Sequence, residues 1–112
     1  MLPKQFRLDT KALDVFFHQK STFYKGTVLN LRMRKNNSPH NRWAFLVSSS
    51  IKKNAASRNL TKRRMREASK KIQSSTKEGH DLVFLLKLNK KQAPSFLVLE
   101  HDMIRLLKQC GL

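Results

Sequence analysis

The chain has 112 residues, with 24 Lys plus Arg against 7 Asp plus Glu, a formal net charge of +17. That length fits one compact domain spanning residues 1–112, and 39% hydrophobic residues, seven Phe among them, exceed what a disordered basic tail carries. A compact body this basic repels itself unless it works beside a polyanion. No stretch approaches the roughly 20 apolar residues of a membrane span, and Lys4, Arg7, Asp9, Lys11 and Asp14 interrupt any signal-peptide core. The composition therefore points to a cytoplasmic nucleic-acid partner and away from a membrane.

In chain order, Asp9 and Thr10 are N-cap candidates before Leu13, Phe16 and Phe17 at helical spacing, so a short helix is predicted to end near Lys20. A brief strand around 22–24 has weaker support. From Thr27 to Arg34 the chain alternates: Leu29, Leu31 and Met33 face one way, Asn30, Arg32 and Arg34 the other, the pattern of a half-buried strand. Asn36-Asn37-Ser38-Pro39 is a turn cluster. A further strand is predicted from Trp43 to Ser49.

From Asn54 to Ile72 there is no Gly or Pro and the pattern is helical, with an exit at Ser74-Ser75-Thr76 and Gly79. Asp81–Lys87 holds an apolar run suited to a central strand covered by helices on at least one face. Residues 90–94 read as a linker. Ser95 caps a last helix whose Phe96, Leu99, Met103 and Leu106 share one face. The order α-β-β-β-α-β-α implies an α+β fold, a two-layer α/β sandwich with one small mixed sheet.

The helix from residue 54 is the most informative segment. At about 100° per residue, Thr61, Met65, Ala68 and Ile72 form one narrow stripe. Arg58, Lys62, Arg66 and Lys70 form a second at i, i+4 spacing, with Asn59 and Arg63 near it. Neighbours on such a row lie about 6 Å apart, close to phosphate spacing along a nucleic acid. Arginine adds a planar fork for two phosphate oxygens, and asparagine can pair with a base edge or ribose hydroxyl. An ordinary solvated helix would intersperse acids for i, i+4 pairing, yet Glu67 is the only acid in the segment.

These residues resemble the signature helix of the bacterial ribonuclease P protein family, an Asn-Ala-x-x-Arg-Asn-Arg-x-x-Arg-type run. Asn54, Ala55, Arg58, Asn59, Lys62, Arg63, Arg66 and Glu67 stand where that pattern asks. Arg7-Leu8, Phe16-Phe17, Val28–Leu31, Phe45–Ser49 and Asp81–Leu86 match the family's surroundings in order. The chain departs at Lys53, where the family has Gly, and at Leu60, where it has a second Arg. Ser50-Ile51 replaces a Lys pair, with Lys52 and Lys53 following. It reads as a divergent member.

The resemblance implies a fold like the second domain of a small-subunit ribosomal protein. It also implies a role as the subunit that helps a catalytic RNA remove the 5′ leader of precursor tRNA. Its partners would be ribonuclease P RNA and precursor tRNA, with no protein partner evident. Mg²⁺ would be required by the RNA-containing holoenzyme and no cofactor bound by the protein alone. Contact with the RNA subunit would fall to Lys52, Lys53, Asn54, Arg58, Asn59, Lys62, Arg63, Arg66 and Lys70. The leader would lie in a cleft between the first helix, the sheet and the signature helix. Leu13, Phe17, Leu29 and Leu31 would line it with Phe16 alongside, core packing being the competing reading of the two Phe. Hydrophobic floors with basic walls suit single-stranded RNA.

No catalytic residue is expected from the protein. The seven acids are scattered without a two-metal pattern, the four histidines lack zinc-like spacing, and three glycines make no phosphate loop. Cys110, alone, permits no internal disulfide and reads as a spare thiol on a fraying terminus. A ribosomal or other structural RNA binder would share the basic helix. A metal-dependent nuclease acting alone would need an acid cluster.

Overall fold

The computed structural model describes residues 6–47, 55–73, 76–86 and 95–112. Its elements are α1 (Thr10–Phe17), β1 (Thr22–Lys25), β2 (Leu29–Lys35), β3 (Arg42–Leu46), α2 (Ala55–Ile72), β4 (His80–Leu86) and α3 (Phe96–Gln109). The four strands form one mixed sheet in the order β1-β2-β4-β3. β2 runs antiparallel to both β1 and β4, whereas β3 and β4 are parallel.

Alternation along each strand separates two faces. One carries Leu29, Leu31, Trp43, Leu82, Phe84 and Leu86, which pack with Met65, Ala68 and Ile72 of α2 and Leu99, Met103 and Leu106 of α3. Phe84, on the central strand, stacks against both Trp43 and Phe45, at ring-centroid distances of 6.0 and 6.1 Å. The other face carries Ala44 and Val83, which Phe16 of α1 and Leu8 cover in a smaller cluster. The sandwich is thus the sheet with α2 and α3, and α1 covers one corner of the opposite side.

Both expected caps form. The Asp9 carboxylate accepts from the Ala12 N–H at 2.8 Å, and the Ser95 hydroxyl accepts from the Val98 N–H at 3.3 Å. α1 stops at Phe17, short of Lys20. The His18 and Gln19 N–H groups reach back three residues, to the Val15 and Phe16 carbonyls, and tighten the last turn.

β2 begins at Leu29 because the preceding amides go elsewhere. Asp102 of α3, only 3% exposed, accepts from the backbone N–H groups of Thr27, Val28 and Leu29 at 3.0, 2.8 and 2.8 Å. The β1–β2 turn is thereby clasped to the last helix. Gly26 is required by this close approach: a Cβ there would sit 2.5 Å from the Leu29 carbonyl oxygen and 2.8 Å from Asp102 Oδ2.

A second buried acid ties the other end of the sheet. Asp81 receives Arg42 through two bonds of 2.9 and 2.8 Å and Asn36 Nδ2 at 2.8 Å, with Arg34 at 4.0 Å. The carboxylate raises the Arg42 pKa further, mainly through that hydrogen bonding and against the opposing effect of burial. Asn37 sits at φ 57° in the β2–β3 turn, a conformation asparagine tolerates.

Candidate nucleic-acid interface

α2 divides lengthwise into zones that follow from its 3.6-residue period. Thr61, Met65, Ala68, Ser69 and Ile72 are buried against the sheet and α3. On one flank, Lys71 reaches Glu100 of α3 at 3.5 Å. Lys62 and Arg66 occupy the other flank, and Asn59, Arg63 and Lys70 are exposed on the outward side. Glu67 lies 3.8 Å from Lys70, an exposed pair worth little. Arg58 is half-buried at the start of the helix. Lys52, Lys53 and Asn54 lie outside the described residues.

The Lys62–Arg66 flank forms one wall of a groove of about 340 Å³. Its opposite wall is the segment Arg7 to Thr10 with Leu13 of α1, and its floor is β3 from Trp43 to Leu46. Arg7 bridges to Trp43, and the Leu8 N–H donates to the Trp43 carbonyl at 3.0 Å, which fixes that wall along the sheet edge. Arg66 is steadied by a 3.4 Å bond from Nε to the Lys62 carbonyl. An apolar floor therefore runs between cations contributed by two distant parts of the chain. Lys62 and Arg66, expected on the face toward the RNA subunit, stand in the same groove as Leu13.

The remaining expected cleft residues separate. Phe16 is buried under α1, and Phe17 is 48% exposed beside it, the two rings edge to face at 5.4 Å. Leu29 and Leu31 require correction: both are 0% exposed in the core beneath α2 and α3, on the sheet face away from α1. Strand alternation puts Asn30, Arg32 and Arg34 on the α1 side in their place. In register with Arg32 is Phe23 of β1. The Arg32 guanidinium lies 5.1 Å from the Phe23 ring centroid. The polar half of the Thr27–Arg34 pattern was the available signal for these residues. Nothing in β1 alone marks Phe23, since a four-residue strand carries too little pattern.

Among the described residues no three His, Cys, Asp or Glu side chains gather where they could hold a metal ion. The two buried acids there are committed, Asp81 to Arg42 and Asn36 and Asp102 to backbone amides. Among the described residues no helix is long and apolar enough to cross a membrane.

Cys110 caps α3, its N–H donating to the Leu106 carbonyl at 3.2 Å and its Sγ to the Leu107 carbonyl at 3.3 Å. It is anchored there and half-buried, not on a frayed end. Burial pushes its thiol up from the ordinary cysteine range, outweighing hydrogen bonds from nearby backbone. Alkylation at neutral pH is therefore expected to be slower than in the unfolded chain and to accelerate as pH rises. Equal rates for folded and urea-unfolded protein would contradict that environment.

The family model for ribonuclease P matches residues 2–111. The ribonuclease P protein component of Pseudanabaena sp. (strain PCC 6903) is 32% identical over 84 residues, covering 74% of this chain and 72% of that protein. A variant of the Staphylococcus aureus RNase P protein superposes with a TM-score of 0.80 at 23% identity, covering 96% of this chain and 90% of that one. The Thermotoga maritima RNase P protein gives 0.78 at 21%, covering 92% and 96%. At these identities the two structures speak to the fold.

Proposed function

The chain belongs to the ribonuclease P protein family, and on that premise we propose that it binds the catalytic RNA and the 5′ leader of precursor tRNA, assisting removal of the leader. The observation that carries this reading is the groove in which Lys62 and Arg66 of the basic helix face Leu13 of α1 across β3. Exposed Asn59, Arg63 and Lys70 on the outward side of α2 leave a second basic surface for a second stretch of RNA. One helix thus addresses two RNAs, the catalytic subunit outward and the leader along its flank.

The proposal divides the labour between protein and RNA. Cleaving a phosphodiester near neutral pH needs a hard cation held by oxygens and an activated water, and the described residues offer no such cluster. On this proposal the metal and the bond-breaking step belong to the RNA subunit. The protein's cations neutralise phosphates and its apolar floor receives bases, so that substrate is held where the RNA acts. Work on these two RNAs is, on this proposal, cytoplasmic.

Reconstitution tests the proposal. Precursor tRNA is incubated with the cognate ribonuclease P RNA at low Mg²⁺, with and without the protein. Cleavage at the mature 5′ end should rise sharply with protein and be absent with protein alone. Tight RNA binding without stimulation would instead mark a structural RNA binder. Cleavage by protein and Mg²⁺ without the RNA would mark an independent nuclease.

A further inference from the structure

We propose that Phe23 and Arg32 form a stacking platform for a leader nucleotide at the β1 edge of the sheet, the edge opposite the Lys62–Arg66 groove. The proposal rests on the leader-binding role above and adds a second point of attachment to it. Three strand spacings separate β1 from β3, about 14 Å, and Phe16 of α1 covers Ala44 and Val83 between them, so one extended strand of RNA passing beside α1 would meet both.

Phe23 is 47% exposed on a four-residue edge strand. An apolar ring there adds nothing to the core and exposes the sheet to unwanted pairing, so its presence calls for a use. Arg32, its partner in register, lies 5.1 Å from the ring centroid. The pair offers a base two planar surfaces, an aromatic ring and a guanidinium, the kinds of plane on which unpaired bases stack. Lys25, Arg34 and Arg42 lie on the same sheet face by register. Among the described strand residues of that face Asp81 is the only acid, and it is already engaged with Arg42. The net positive charge of this face suits a polyanion and opposes docking of a second copy of a chain carrying +17.

The test measures holoenzyme affinity for precursor tRNAs with a leader of about two nucleotides and one of about ten, long enough to span the sheet. Phe23→Ala and Phe23→Leu should each weaken binding of the long-leader precursor about tenfold. Both should leave the short-leader precursor unchanged, and Phe23→Tyr should retain wild-type binding. The leucine variant separates a flat stacking surface from mere apolar contact, and circular dichroism checks that each variant is folded. Wild-type affinity in the leucine variant, unchanged long-leader binding, or equal losses for both precursors would each overturn the platform. The leader-binding role fails separately, if wild-type protein gives the holoenzyme no preference for either precursor over mature tRNA.

Discussion

Replacing Lys62 and Arg66 together by alanine is expected to weaken precursor binding by the reconstituted holoenzyme about tenfold to a hundredfold, roughly 1.4–2.8 kcal/mol. Both side chains stand over the same β3 floor, so one change removes the whole cationic wall on the α2 side. The weakening should carry an electrostatic signature, with the log–log salt dependence flattening by roughly 0.7–0.9 for each phosphate that is no longer neutralised. Fold stability should barely move, since the core stripe of α2 is Thr61, Met65, Ala68 and Ile72. An unaltered salt slope together with unaltered affinity would remove the groove from the RNA path.

The largest stability effect is expected at Asp102. Its carboxylate satisfies three backbone amides of the β1–β2 turn, and truncation would leave donors unpaired in a site with little access to water. Asp102→Ala should cost about 3–5 kcal/mol, read from denaturant midpoints at constant m-value. For a chain of this size that is a fall in Tm of roughly 10–25 °C. Asp14→Ala on exposed α1 is the matched control and should stay within about 0.5 kcal/mol. If the two substitutions cost the same, the clasp does not hold in solution.

Much of this architecture is written locally. The 3.6-residue stripe of α2, the capping residues Asp9 and Ser95, and the apolar run of β4 each depend on neighbours a few positions away, which is the range over which sequence pattern carries information. The Asp102 clasp spans 73 to 75 positions, and a lone Asp on a helical face gives no hint of a turn so far upstream. Leu29 and Leu31 show a subtler limit. Alternation sorts β2 into two faces correctly, but which face meets α1 and which meets α2 and α3 is decided by tertiary packing. The family resemblance placed both leucines in the cleft, whereas the open face uses the polar half of the pattern, Asn30, Arg32 and Arg34. The flanks of α2 have the same character, because only the position of β3 decides that Lys62 and Arg66 border a groove.

The strand order β1-β2-β4-β3 has a consequence for synthesis on the ribosome. The strand at the middle of the sheet is the last of the four to be translated, and it inserts between two that are already made. A nascent chain that has not yet extruded residues 80–86 holds β2 and β3 with no partner between them, their backbone groups open to other chains. α3, with the residue that fastens the first hairpin, emerges later still. The sheet therefore completes only once residues 80–86 have emerged, and slow translation or stalling before residue 80 would prolong the interval in which this basic chain depends on chaperones.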